Sequence, residues 1–225
     1  MFKTYSLAAA VALTSSPALA QLDDLFNFPA QPEDATYEVT LTNLTPGQTF
    51  TPQLVVSHPA SIALFQVGEP AIDELGILAE GGDTGPLMNL AMGAGAYATT
   101  IDGLLGPGEA TSAMISGQEG EVLSIAAMLI PTNDTFVALN GMPLPSSGSV
   151  TYYLKAYDAG TEENDQQCSS IPGPLCGGEG VSEPADGDEG FVHISNGFHR
   201  LPGGALRPEN YDWRNPVATV TVTVR

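Results

Sequence analysis

The chain has 225 residues, enough for one domain or two small ones, and its 43% apolar content supports a buried core and excludes wholesale disorder. The charge is one-sided, with 26 Asp and Glu against 6 Lys and Arg and a net charge of −20. A surface this acidic repels phosphate backbones and anionic lipid headgroups, which argues against nucleic-acid binding and polybasic membrane anchoring.

The first twenty residues have the pattern of a secretory signal peptide. A short basic start precedes an apolar run at 7–13, which is too short to span a bilayer, and a small-x-small cleavage pattern ends at Ala20. A buried N-terminal helix is the alternative. We therefore expect an exported protein, secreted or periplasmic, without a transmembrane segment. Residues 21–34 are expected to form an extended leader before a domain at 35–225.

Alternating apolar and polar residues predict an antiparallel β domain. In the segment 36–42, for example, Tyr37, Val39 and Leu41 share one face and polar residues share the other. Strands separated by Pro- and Gly-containing turns at this spacing favour a β-sandwich or a barrel. One short helix is expected at 71–80, because it follows Pro70 and precedes a glycine pair. The predicted strands, in chain order, are 36–42, 54–58, 97–101, 111–115, 121–130, 135–139, 149–157, 191–194 and 219–224.

The two cysteines, Cys168 and Cys176, lie inside a long polar segment at 162–190. In an oxidising compartment they most simply form one disulfide that closes a small loop. Free thiols are the alternative, and a zinc site is disfavoured because no second cysteine pair or histidine partner lies nearby. A polar segment of this length is usually functional or mobile.

Acidic residues cluster in the loops after two of the predicted strands. If 121–130, 135–139 and 149–157 run antiparallel, Asp134, Asp158 and Glu162 come to the same end of the sandwich. Calcium takes six to eight oxygen ligands and suits such loops, so these three residues are the candidate ligands. The alternative is that Asp134 and Asp158 are turn residues whose carboxylates accept hydrogen bonds from the backbone N–H groups of their own turns. The acidic run at 186–190 lacks calcium-loop spacing and is expected to be a solvated tip.

Catalytic motifs are absent: the chain has no G-x-S-x-G, no H-E-x-x-H and no Walker-type loop. His58 is expected to cap a strand end. His193 and His199 flank Ser195, so a secreted hydrolase that uses either histidine is an alternative function. An acidic structural surface protein adapted to high ionic strength is another. The leading hypothesis is a non-catalytic binding module.

Several segments carry a family resemblance. They are Ile130-Pro-Thr-Asn-Asp-Thr-Phe-Val137, Tyr157-Asp-Ala-Gly-Thr-Glu162, Leu41-Thr-Asn-Leu-Thr-Pro46, His58-Pro59, Phe65-Gln-Val-Gly68 and Leu78-Ala-Glu-Gly-Gly-Asp83. Together they resemble the spondin domain, the N-terminal domain of F-spondin and mindin, and in particular its bacterial single-domain members. The resemblance covers residues 35–225.

The resemblance implies an antiparallel β-sandwich similar to C2 domains, with bound calcium and with Asp134 and Asp158 as ligands. It also implies a cell-adhesion role, with an extracellular protein, a glycan or a matrix component as partner. Thr135 replaces an aromatic residue of the animal members, and Ile115 aligns with one of their acidic ligands. Glu119 and Glu162 are the candidates to replace that ligand.

Overall fold

The computed structural model describes residues 34–202, 204 and 206–225. The predicted signal peptide, its cleavage site and the leader up to residue 33 lie outside the described residues. None of the described helices is long and apolar enough to cross a membrane.

Strands dominate the described part of the chain, and the helices are short. The strands are β1 (Ala35–Asn43), β2 (Thr49–Phe50), β3 (Gln53–His58), β4 (Tyr97–Ile101), β5 (Ala110–Gly117), β6 (Val122–Ile130), β7 (Thr135–Pro143), β8 (Ser149–Asp158), β9 (His193–Ile194) and β10 (Ala218–Val224). The helices are α1 (Asp73–Gly81), α2 (Gly85–Gly93) and α3 (Pro208–Tyr211).

The strands form an antiparallel β-sandwich, as predicted. Their hydrogen-bonded order is β4-β3-β6-β7-β8-β10-β1-β5, with β2 paired to β6 and β9 paired to β8. The end strands β4 and β5 also contact each other, so the sandwich is nearly closed. Closure of this kind leaves few unpaired strand edges.

The core follows from the side-chain periodicity of the strands. Tyr37, Val39 and Leu41 point into the core from β1, while the residues between them are partly exposed. All nine residues of β6 are buried, because one face of this strand lines the sandwich interior and the other is covered by α1. A sequence that is apolar at every position except Ser124 is typical of a central strand covered on both faces.

The predicted helix is present, with small shifts at its ends. It ends at Gly81, and the next residue, Gly82, has a φ of +71° in the left-handed region and donates its N–H to the Leu78 carbonyl. The second helix, α2, was not predicted, because the sequence was expected to contain one short helix only. Leu87 and Ala91 of α2 are buried in the apolar layer that α1 also covers.

The polar segment 162–190 is docked against the sandwich. Its Cys168–Cys176 disulfide is formed, with the two Cα atoms 4.7 Å apart, as predicted. Ile171, inside the disulfide loop, is fully buried in the main core. Farther along, the Ser182 N–H and hydroxyl donate to the Glu80 carboxylate of α1. The segment is therefore part of the folded domain.

Candidate metal centre

The β6–β7 turn and the end of β8 lie at the same end of the sandwich. β7 pairs antiparallel with β6 on one side and with β8 on the other, and Thr135 of β7 is the register partner of Asp158 of β8. Asp134, the residue before β7, therefore lies beside Asp158, the last residue of β8. This is the proximity that the strand order predicted.

Asp134 is fully buried, and its two carboxylate oxygens have different surroundings. Oδ2 accepts the backbone N–H of Thr161 at 2.8 Å and that of Glu162 at 3.2 Å. Oδ1 is buried and has no hydrogen-bond partner. Burial, followed by the negative charge of Asp158, raises the pKa of Asp134 well above its ordinary value, and the two amide hydrogen bonds oppose the shift. Oδ1 is therefore a buried carboxyl oxygen without a polar partner.

Asp158 is also buried, and both of its oxygens have polar neighbours. Oδ1 accepts the Gly160 N–H at 3.0 Å and faces His193 Nε2 at 3.3 Å, while Oδ2 accepts Asn164 Nδ2 at 2.9 Å. Burial is the main cause that raises the pKa of Asp158, and Asn164 and His193 act against it. The bond to Gly160 is the turn interaction considered as an alternative to metal binding. Asp134, in contrast, caps a loop 27 residues away.

No arginine or lysine balances these two carboxylates within the described residues. The arginine ion pairs there lie elsewhere: Arg200–Glu209, Arg214–Asp212 and Arg225–Glu38. His193 is the one basic side chain at ion-pair distance from Asp158 in that part of the chain. Two buried, adjacent carboxylates are costly when both are charged, and either protonation or a bound cation would lower that cost.

Glu162 contributes its backbone to this centre, and its carboxylate has other neighbours. Burial raises the pKa of Glu162 to about 8, the charge of Glu80 raises it next, and a hydrogen bond from Asn133 lowers it. The further charges acting on it are those of Asp165 and Asp188. Among the charges that act most strongly on the Glu162 carboxyl, that of Glu80 is the largest, and those of Asp134 and Asp158 are not included.

Glu189 joins the centre, although the acidic run around it was expected to be a solvated tip. Donor atoms of Asp158, Glu189 and His193 lie within 4.8 Å of one another, so this group could hold a metal ion. Asn164 Nδ2 donates to both Asp158 and Glu189, at 2.9 Å in each case. The acidic run at 186–190 lies close to His193 along the chain. This was the one signal in the sequence that could have indicated that Glu189 and His193 lie together.

A cleft of about 440 Å³ opens beside this group. His193, Ser195 and His199 line it, as the hydrolase alternative requires. The Ser195 hydroxyl, however, lies 3.3 Å from the Thr135 hydroxyl, and no hydrogen bond joins it to a histidine among the described residues. His58, at the end of β3 as expected, is fully buried, with Nε2 2.7 Å from the Ser124 hydroxyl.

The positions aligned with a further acidic ligand lie far from this centre. Ile115 is buried in the core near the end of β5 that pairs with the start of β1. Glu119 follows in the β5–β6 turn, at the end of β6 opposite to Asp134. The missing acidic group at Ile115 therefore leaves the Asp134–Asp158 pair unaffected.

The fold and the site together define a class of protein, an all-β module with one disulfide and an acidic centre formed by loops at one end of its sandwich. The family model Spondin_N matches residues 33–171. The chain belongs to the spondin N-terminal domain family. No curated protein matches the chain. Family membership and the disulfide indicate an extracellular module of the binding type.

Proposed function

We propose that the protein is an exported, non-catalytic binding module that holds a calcium ion between Asp134 and Asp158. The observation that carries this proposal is the buried, unpartnered Oδ1 of Asp134 beside a second buried carboxylate. A buried anionic oxygen without a partner costs free energy that a hard cation would recover.

The donor chemistry suits calcium. Asp134 and Asp158 supply carboxylate oxygens, and the loops at 131–134 and 158–162 carry the backbone carbonyls with which calcium sites commonly reach six to eight ligands. When bound, the ion would neutralise the buried negative charge. Asp134 would then hold the β6–β7 loop to Thr161 and Glu162 through its other oxygen, Oδ2.

The bound ion would organise a surface for a partner at this end of the sandwich. Loops at the end of a rigid β-scaffold commonly carry binding residues, because they vary without disturbing the core. We propose that the partner is an extracellular protein, a glycan or a matrix component, and that its binding depends on calcium. A role in adhesion would follow from such binding.

The test is calcium titration of the purified protein after treatment with a chelator, by calorimetry and by thermal unfolding. We expect one saturable site and a higher Tm, because an ion that binds only the folded state stabilises it by about 2.7 kcal/mol at 100 times Kd. Asp134→Asn should abolish both effects. Asp102→Asn, which removes an exposed carboxylate, is the control and should retain them. Unchanged calcium binding in Asp134→Asn, or no stabilisation of the wild type, would overturn the proposal.

A further inference from the structure

His193 directs its ring nitrogen Nε2 at the acidic centre. Its Nδ1 lies 3.1 Å from the carbonyl oxygen of Ile194. Because a carbonyl only accepts hydrogen bonds, Nδ1 carries the proton in this contact. A neutral imidazole then has an unprotonated Nε2, and this orientation by a backbone carbonyl is typical of metal-ligating histidines.

That Nε2 faces a carboxylate oxygen at a distance that suits two ligands of one metal ion. His193 Nε2 and Asp158 Oδ1 are 3.3 Å apart. Charge-assisted hydrogen bonds are shorter, about 2.7–2.9 Å. In a tetrahedral zinc site with bonds of about 2.0–2.1 Å, neighbouring ligand atoms lie about 3.3–3.4 Å apart. The geometry of this pair therefore matches two corners of a zinc site.

Glu189 offers a third donor atom at the same place. One of its carboxylate oxygens is within 4.8 Å of the other two donor atoms, and its side chain is exposed. Asn164 Nδ2 bridges Asp158 Oδ2 and Glu189 Oε1, which orients the two carboxylates toward each other. Outer-shell hydrogen bonds of this kind position the ligands of metal sites.

Gln166 is a second, separate feature of the same cleft, a buried polar side chain with an unpartnered oxygen. It lines the cleft beside Asp158, Glu189 and His193, and only 6% of its surface is exposed. Its side-chain oxygen Oε1 is buried without a hydrogen-bond partner. Its φ of 54° is the one positive φ of a non-glycine residue among the described residues. Such strained positions cluster at ligand sites, where the surroundings hold them in place.

We propose that Asp158, Glu189 and His193 form a second cation site, which takes a zinc-class divalent ion and has its fourth position open to the cleft. Calcium is held by oxygen ligands, whereas imidazole suits zinc and related transition metals. The fourth position would accept water or a carboxylate of a bound partner, as an open zinc site does. The proposal goes beyond the calcium site, with which it shares only Asp158.

The test is titration of the metal-free protein with zinc by calorimetry, and with cobalt followed by visible absorption. We expect one saturable site and cobalt bands typical of low coordination number. His193→Ala should weaken zinc binding by more than the roughly 10–100-fold that loss of an outer-shell partner costs. Glu189→Gln, at an exposed position, should also weaken it, with the fold intact by circular dichroism. His199→Ala is the matched control, because His199 lines the same cleft outside the ligand group, and it should leave zinc binding unchanged.

Calcium titration of the same variants separates the two proposals. His193→Ala should retain calcium, and Asp134→Asn should retain zinc while it loses calcium. Absence of zinc binding in the wild type, or equal zinc binding in the wild type and His193→Ala, would overturn the zinc site. Zinc binding without any calcium binding would overturn the calcium proposal alone. A third outcome is that His193 and Asp158 form only an ion pair. His193→Ala would then lower Tm, and neither the wild type nor any variant would bind zinc. This result would also overturn the zinc site.

Discussion

The buried carboxylate of Asp134 accepts the backbone N–H of Thr161 at 2.8 Å, across 27 residues of chain. A side chain of the β6–β7 loop thereby positions the start of the long polar segment that follows β8. The same carboxylate also accepts the N–H of Glu162, so one residue satisfies two consecutive backbone donors. Asp134 is therefore a structural residue as well as a candidate ligand, and its two roles respond differently to substitution.

Asp134→Ala and Asp134→Asn should differ in stability when metal is removed by a chelator. Alanine leaves the N–H groups of Thr161 and Glu162 without their acceptor, which costs about 1–3 kcal/mol. Asparagine retains an acceptor oxygen and removes the buried charge, so it should be neutral or stabilising. Urea unfolding of both variants measures the difference. Equal midpoints for the two variants would contradict the capping role.

The stability of the metal-free protein should fall as pH rises from about 4.5 to 8, in part because of Glu162. Its pKa is raised from 4.5 to about 8 in the folded state, so the folded protein binds more protons than the unfolded chain across this range. Glu162→Gln should reduce this pH-dependent decrease in the free energy of unfolding by about 1–2 kcal/mol, after allowance for solvent screening. The raised pKa values of Asp134 and Asp158 act in the same direction, so a smaller slope should persist.

Urea unfolding at a series of pH values, with chelator present, measures this slope. Glu163→Gln, which removes the exposed carboxylate next in the chain, is the matched control for loss of one charge. A slope as steep in Glu162→Gln as in the wild type would show that the Glu162 carboxyl titrates normally in the folded protein.

Ile171→Ala should destabilise the domain, although Ile171 lies in a polar segment. Its side chain is fully buried in the main core, and truncation of such a residue costs about 2–5 kcal/mol. Leu175→Ala, in the same disulfide loop but 54% exposed, should change stability by less than about 0.5 kcal/mol. Thermal unfolding of the two variants tests this contrast. Equal effects would mean that the disulfide loop is not docked.

Asn43→Asp should be strongly destabilising at neutral pH. Asn43 is fully buried, and its Nδ2 donates to the carbonyls of Gln48 at 2.8 Å and Leu105 at 3.0 Å. An aspartate would place a buried charge against these two acceptors, which costs about 3–5 kcal/mol. Asn89→Asp, at an exposed position of α2, makes the same chemical change and should have little effect. Chemical unfolding at pH 7 measures the stability of both variants. If Asn43→Asp were as stable as the wild type, the side chain of residue 43 would have to be in contact with solvent.

Much of the fold could be predicted because strand periodicity is a local property. Tyr37, Val39 and Leu41 alternate with polar residues, and this alternation suffices to identify β1 and its buried face. The sequence of β6, apolar at every position except Ser124, is likewise typical of a central strand. Helix α2 was missed, because Pro86 and the nearby glycines favour turns and the burial of Leu87 and Ala91 becomes evident only when the strands beneath them are in place.

Of the acidic centre, too, only a part could be predicted from the sequence. Asp134 and Asp158 could be brought together from the sequence, because antiparallel strand order alone places consecutive loops at one end. The carboxylates of Glu162 and Glu189 could not be assigned, since their placement depends on how the segment 162–190 returns to the sandwich. That path is determined by long-range contacts, namely the burial of Ile171 and the bonds of Asn164 to Asp158 and Glu189, which have no local pattern in the sequence.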